Sequence, residues 1–80
     1  MKQKSRSDRF SDAQGLASDA KTACEELRDE LQSWLDNMPE NMQSGAKAEQ
    51  LETAISELED VISNLESVES ASVEFPGMMG

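Results

Sequence analysis

The amino-acid sequence predicts an all-α protein, a two-helix antiparallel hairpin with the character of a coiled coil. Two segments place apolar residues at alternating spacings of three and four, which is the period of one face of an α-helix. The stretch between them, from Trp34 to Gly45, contains Pro39 and ends on a glycine. Such a punctuated stretch is typical of a tight connection between two neighbouring helices.

The first apolar seam has small residues at its start and larger ones at its end. Its members are Leu16, Ala20, Cys24, Leu27, Leu31 and Trp34. The second seam is more regular and consists of Leu51, Ile55, Leu58, Ile62 and Leu65, flanked by Ala54, Val61 and Val68. We expect the core and any self-association surface to use Leu27, Leu31, Trp34, Leu51, Ile55, Leu58, Ile62 and Leu65.

Residues 1–10 are polar and basic and lack apolar periodicity, so a disordered arm is expected there. The hairpin is expected over 11–70, with helices at about 12–36 and 45–69, a turn at 37–44 and an extended tail at 71–80. Ser11 with Gln14 fits a capping box for the first helix, and Ser44 is a candidate cap for the second. Pro39 ends the first helix and suits the start of a short helical turn.

Two groups of aromatic and apolar residues, one in the turn region and one in the tail, have two interpretations each. Trp34, with Met38 and Met42, forms either an exposed recognition knob or a plug at the end of the bundle. In the tail, Phe75, Met78 and Met79 either fold back onto the hairpin or bind a partner.

The chain is one small domain, and its length and composition predict a core that is shared between copies. Only 36% of its 80 residues are hydrophobic, and a chain this short buries little more than about 60% of its unfolded surface. We therefore expect a homo-oligomer, most simply a dimer of hairpins that forms a four-helix bundle. The alternative is that the apolar face docks on a different protein.

The net charge of −10 is divided unevenly. Four bases face one acid in the first ten residues, whereas three bases face sixteen acids in the rest. An acidic body repels phosphate backbones and anionic lipids, so we expect no direct nucleic-acid or membrane binding and favour a basic protein partner.

The lone Cys24 allows no intramolecular disulfide and is typical of a reducing cytosol, although a disulfide-linked dimer stays open. Apolar runs are too short to span a bilayer, and the basic start is not followed by the apolar stretch of a signal peptide. A soluble cytoplasmic protein is expected.

The sequence lacks the usual catalytic residues. It contains no histidine or tyrosine and one cysteine, which removes the commonest general bases, metal clusters and thiol dyads. The stretch from Asp36 to Glu49 does not fit a calcium-binding loop, because Met38 and Met42 occupy positions where such a loop has oxygen ligands. We expect no enzyme activity, no cofactor and no metal.

Acidic residues recur every seven positions on both helices. One row is Asp12, Asp19 and Glu26, and the other is Glu52, Glu59 and Glu66. Such rows either imitate the charge of a nucleic acid toward a basic partner or only keep the helices soluble. Their spacing, about 10.5 Å along a helix, is wider than that of adjacent phosphates.

The turn Asp36-Asn37-Met38-Pro39-Glu40-Asn41-Met42-Gln43, followed by Ser44-Gly45, resembles a segment of small, acidic, mostly uncharacterised phage and prophage proteins. In those proteins the segment also lies between two amphipathic helices, and the resemblance covers roughly Glu25 to Glu66. It implies a phage or prophage setting and a helical hairpin, and it carries no catalytic or binding residues.

Two functions follow as expectations. The first is a non-enzymatic, protein-binding inhibitor of a host protein, acting in the host cytoplasm through its acidic rows. The alternative is a structural virion or assembly component that docks through its terminal peptides. Binding through charge is expected to weaken steeply with salt, whereas docking through the tail is not.

Overall fold

The structure, a computed structural model, describes residues 4–42 and 44–76. Helix α1 spans Arg6–Asp36, a short 3-10 turn spans Glu40–Met42, and helix α2 spans Ala46–Ser70. The two helices pack against each other in an antiparallel pair, and the molecule measures 67 × 23 × 14 Å. The described residues contain no strand. The predicted all-α hairpin is therefore confirmed.

Helix α1 begins earlier than the sequence pattern indicates. Ser5 is its N-cap, and the Ser5 hydroxyl oxygen accepts a hydrogen bond from the Asp8 backbone N–H at 3.0 Å. Residues 6–10 of the predicted disordered arm are thus helical, and Ser11 is not a cap. The predicted start is too late because Phe10 follows a polar stretch in the sequence, whereas in the structure this residue extends the apolar face of the helix.

The connection between the helices matches the predicted turn except at one position, the N-cap of α2. Helix α1 ends at Asp36, and the Met42 N–H donates to the Pro39 carbonyl at 2.9 Å, so Pro39 introduces a short helical turn. The N-cap of α2 is Gly45, not Ser44, and no side chain caps this helix. The Glu49 N–H instead closes the first turn on the Gly45 carbonyl at 3.2 Å.

The predicted seam of α2 is confirmed as the buried face of that helix. Leu51, Ile55 and Ile62 are buried, and Leu58 and Leu65 are half-buried. The residues that face α2 are Phe10, Gln14, Ala17, Lys21, Cys24, Arg28, Leu31 and Leu35 on α1, followed by Met38 just after the helix. They recur at alternating spacings of four and three, so they form a regular seam that includes three polar side chains.

This α1 seam excludes two of the predicted core residues, Leu27 and Trp34, from the core of the hairpin, whereas their predicted role in self-association stays a prediction. Leu27 and Trp34 are 50% and 51% exposed, whereas Leu31 lies in the seam as expected. The reason lies at the closed end of the hairpin, where Leu31, Leu35 and Met38 pack on Ala48 and Leu51. A seam through Leu27 and Trp34 would turn Leu35 away from α2 and remove it from that cluster.

Two flanks of the hairpin as candidate binding surfaces

The seam divides the hairpin surface into two flanks. In an antiparallel pair, residues that directly precede a seam residue lie on one flank in both helices, and residues that directly follow one lie on the other. A contact between Trp34 and Lys47 fits this geometry: each precedes a seam residue, and the Lys47 Nζ lies 5.6 Å from the centroid of the Trp34 ring.

The first flank is apolar. Arg9 and Glu30 on α1, and Lys47, Gln50, Glu57 and Asn64 on α2, also precede seam residues and lie on this flank. Its apolar residues are Ala13, Leu16, Ala20, Ala23, Leu27 and Trp34 on α1, with Ala54, Val61 and Val68 on α2. Eight of these nine residues are exposed, Leu16 most of all at 70%. We call this surface the apolar flank.

The second flank carries carboxylates and is called the acidic flank. It consists of Glu25, Asp29 and Asp36 on α1, with Glu49, Glu52, Glu59 and Glu66 on α2. The row of Glu52, Glu59 and Glu66 is exposed along the whole of α2, and these three side chains take part in no ion pair within the described part of the chain.

The two predicted acidic rows do not lie together. Asp12, Asp19 and Glu26 occupy the outer face of α1, opposite its seam, and all three are exposed. Asp12 also forms an ion pair with Lys4 at 2.7 Å, which raises the pKa of that lysine, mainly through the hydrogen bond to the carboxylate. Only the α2 row shares a flank with further carboxylates.

At the open end of the hairpin, polar side chains of α1 hold the last turn of α2. The Lys21 ammonium lies 3.0 Å from the Glu69 carboxylate, with both side chains about one quarter exposed. Hydrogen bonds from Lys21 and Ser18 lower the pKa of Glu69 below its ordinary value of 4.5, and the bond to Glu69 raises the pKa of Lys21 above 10.5.

The described part of the tail folds back onto the hairpin. The rings of Phe75 and Phe10 lie edge to face, with centroids 5.9 Å apart and an interplanar angle of 64°. This is one of the two predicted alternatives for Phe75. Met78 and Met79 lie outside the described residues.

At the closed end, the three predicted residues separate into two environments. Met38 is buried at 7% exposure and plugs the end of the seam. Trp34 and Met42 are about half exposed, at 51% and 48%. The plug is therefore Met38, and the exposed pair lies outside it.

In residues 4–42 and 44–76, no group of three or more His, Cys, Asp or Glu side chains is placed to hold a metal ion. No described helix is long and apolar enough to cross a membrane. Cys24 lies half-buried in the seam.

No protein-family model, curated protein or solved structure matches this chain.

Proposed function

We propose that this protein is a non-enzymatic binding module whose acidic flank binds a basic surface of another protein. The observation that carries the proposal is the exposed row of Glu52, Glu59 and Glu66, which forms no ion pair with a lysine or arginine of the described residues. In the phage setting that the turn suggests, such a module acts as a small inhibitor of a host protein in the host cytoplasm.

The backbone beneath the row supports this function because it is held in place. Each of the three glutamates directly follows a seam residue, namely Leu51, Leu58 and Leu65. Their backbone positions are therefore fixed by the packing of α2 on α1, and less conformational entropy is lost when a partner binds.

The charge of the chain favours a basic partner over other classes. With a net charge of −10, the protein repels nucleic acids and anionic lipids and attracts surfaces rich in lysine and arginine. Duplex DNA carries one charge per about 1.7 Å, much denser than one glutamate per about 10.5 Å of helix. The row thus offers a line of charge to a nucleic-acid-binding protein without copying each phosphate.

We further propose that the module works as a dimer in which two hairpins form a four-helix bundle. The large exposed side chains of the apolar flank support this, because a monomer of this size leaves them in water. Pairing through that flank leaves both acidic flanks facing outward.

The structural alternative, a virion or assembly component, docks through the terminal peptides. The Phe75 ring already contacts the Phe10 ring, so the described part of the tail gives this alternative less support. One result of the test described below would favour this alternative.

The test is affinity capture from a bacterial host lysate with the intact protein, followed by washes of rising salt concentration. We expect basic, nucleic-acid-binding proteins that elute as salt rises, because screening weakens contacts between exposed charges. The variant E52Q/E59Q/E66Q is expected to lose them. The matched control D12N/D19N/E26N removes the same charge from the outer face of α1 and is expected to retain them.

Two results would contradict the proposal. One is equal loss of binding in both triple variants, which would mean that only net charge matters. The other is capture of proteins that survive high salt and disappear when residues 73–80 are deleted, which would favour the structural alternative.

A further inference from the structure

The apolar flank is a long surface that the hairpin fold leaves uncovered. On α1 it includes Leu16, Leu27 and Trp34 at 70%, 50% and 51% exposure, and on α2 it includes Val61 and Val68 at 44% and 40%. The seam residues of α2 are buried by α1, so the remaining apolar side chains of α2 lie chiefly on this one flank. Exposed apolar surface concentrated in this way marks an interaction site.

The order of residues along the α1 part of this flank is self-complementary. From the open end to the closed end the flank positions read Arg6, Arg9, Ala13, Leu16, Ala20, Ala23, Leu27, Glu30 and Trp34. When this order is reversed about Ala20, each leucine meets an alanine, since Leu16 falls opposite Ala23 and Leu27 opposite Ala13.

The charges on the same positions also match in the reversed order. Glu30 is the one acid among these nine positions, and it falls opposite Arg9. Arg6 falls opposite Trp34, where a guanidinium can lie against the indole ring. All four side chains belong to exposed residues.

Helix α2 has the same centre, and its two polar residues nearest that centre, Glu57 and Asn64, fall opposite each other. Trp34 lies beside Lys47. Because the helices are antiparallel, a residue fourteen positions before Trp34 and one fourteen positions after Lys47 lie at the same level of the hairpin. These residues are Ala20 and Val61, so they are neighbours on the flank. A two-fold axis at that level places Val61 against its own copy. It also places Ala54 opposite Val68, again a small residue against a larger one.

We propose that the apolar flank is a homodimer interface in which two hairpins pack antiparallel, α1 against α1 and α2 against α2, about a two-fold axis at Ala20 and Val61. A two-fold interface must be complementary to itself, and a surface for a different protein has no need to match its own reverse. The arrangement keeps the acidic flanks of both copies facing outward. This inference rests on the dimer of the proposed function and specifies its surface and register.

The first experiment measures the dimer dissociation constant by sedimentation equilibrium. The wild type is expected to reach twice the monomer mass of 8.8 kDa. Ala20→Glu puts two carboxylates together at the two-fold axis and is expected to raise the dissociation constant at least about a hundredfold. The control Thr22→Glu adds the same charge to the same helix outside the apolar flank and is expected to leave the dimer intact. Circular dichroism of each variant confirms that the helices form.

The second experiment tests the antiparallel register by charge reversal. Arg9→Glu and Glu30→Arg each place like charges opposite one another and are expected to weaken the dimer about five- to tenfold. The double variant R9E/E30R restores opposite charges at the same contact and is expected to return within about threefold of the wild type.

Each unfavourable result overturns a defined part of the proposal. A wild type that stays monomeric at all concentrations contradicts both the dimer and this interface. A dimer that survives Ala20→Glu leaves the dimer standing and contradicts the interface, and additive losses in R9E/E30R contradict the register. Binding of basic proteins by the acidic flank, measured separately, shows whether that part of the proposed function stands.

Discussion

A single side-chain amide of α1 closes the C-terminal end of α2. The Gln14 Nε2 lies 3.0 Å from the Val68 carbonyl oxygen, 3.3 Å from that of Glu69 and 2.7 Å from that of Ala71. The last turn of α2 has no basic residue, and its C-cap, Ala71, is extended. The last carbonyls of a helix have no partner within it, so Gln14 supplies a donor from across the seam.

Gln14→Ala is therefore expected to destabilise the hairpin by about 1 kcal/mol, the usual value of one lost hydrogen-bonding group. Because 1 kcal/mol corresponds to about 4 to 8 °C in a domain of this size, thermal unfolding followed by circular dichroism measures the effect. Gln50→Ala, the same substitution at an exposed site of α2, is the control and is expected to change little. Equal destabilisation by the two substitutions would show that Gln14 does not cap α2.

The Lys21–Glu69 ion pair gives a pH dependence whose sign is fixed by the two shifted pKa values. The pKa of Glu69 is lowered in the folded protein, so the unfolded chain binds more protons near the ordinary value of 4.5. This contribution is present above 4.5 and is lost as pH falls through the lowered value. The pKa of Lys21 is raised, so its contribution is present below 10.5 and is lost as pH rises through the raised value.

Glu69→Gln is accordingly expected to reduce the free energy of unfolding at about pH 7, and the difference from the wild type is expected to shrink at about pH 3. Urea unfolding at both pH values measures it. Glu59→Gln, an exposed residue of the acidic flank that does not act on Lys21, is the control. A difference between wild type and Glu69→Gln that stays constant with pH would show that the ion pair is not its source.

At the scale of elements, α1 carries two overlapping apolar stripes and α2 carries one dominant stripe. The α2 stripe of leucines and isoleucines has no competitor, so its buried face follows from the sequence. On α1 the stripe through Leu27 and Trp34 has the larger residues, yet the hairpin uses the neighbouring stripe through Leu31 and Leu35. The choice is made by the partner helix, whose Ala48 and Leu51 receive Leu31, Leu35 and Met38 together.

Gly15 is a weak point within the long helix α1. It is exposed, and a Cβ built on it meets nothing within 4 Å. Gly15→Ala is thus expected to stabilise the hairpin by about 0.5 to 1 kcal/mol, because alanine loses less backbone entropy than glycine in a helix. Thermal unfolding measures the gain.

The control for this prediction is Gly45→Ala. Gly45 is the N-cap of α2, where alanine is disfavoured, and its Cβ would lie 3.4 Å from the Met42 carbonyl oxygen. No gain is expected there. Stabilisation by both substitutions would point to an effect on the unfolded chain alone.

At the scale of the whole molecule, a thin rod carries its densest row of carboxylates on one side and its large exposed apolar residues on the other, where Glu30 and Glu57 are the two acids. Seven carboxylates follow seam residues on the acidic flank, and the exposed leucines, valines and tryptophan precede seam residues on the apolar flank. One side is therefore suited to a basic partner and the other to a second copy. The two proposed interactions do not compete for the same surface.

The net charge of −10 also sets how the fold responds to salt. Self-repulsion destabilises a compact acidic chain, and salt screens it over about 10 Å at 0.1 M. The melting temperature is expected to rise between about 0.02 and 0.2 M NaCl, with a smaller rise in E52Q/E59Q/E66Q. A melting temperature that falls over this range would mean that attractive pairs outweigh the repulsion.

The two helices, the turn at Pro39 and the buried face of α2 can all be predicted from the residues, since each depends on local preference or on an uncontested apolar period. The other features depend on how the two helices and the tail pack together. Helix α1 starts at Arg6 because of the Ser5 cap, and Phe10 in its second turn meets Phe75 from the tail. Its seam lies at Leu31 and Leu35 because that choice fills the space beside Ala48. Leu27 and Trp34 reach the surface for the same reason: a helix with two apolar stripes can bury only one of them against a single partner.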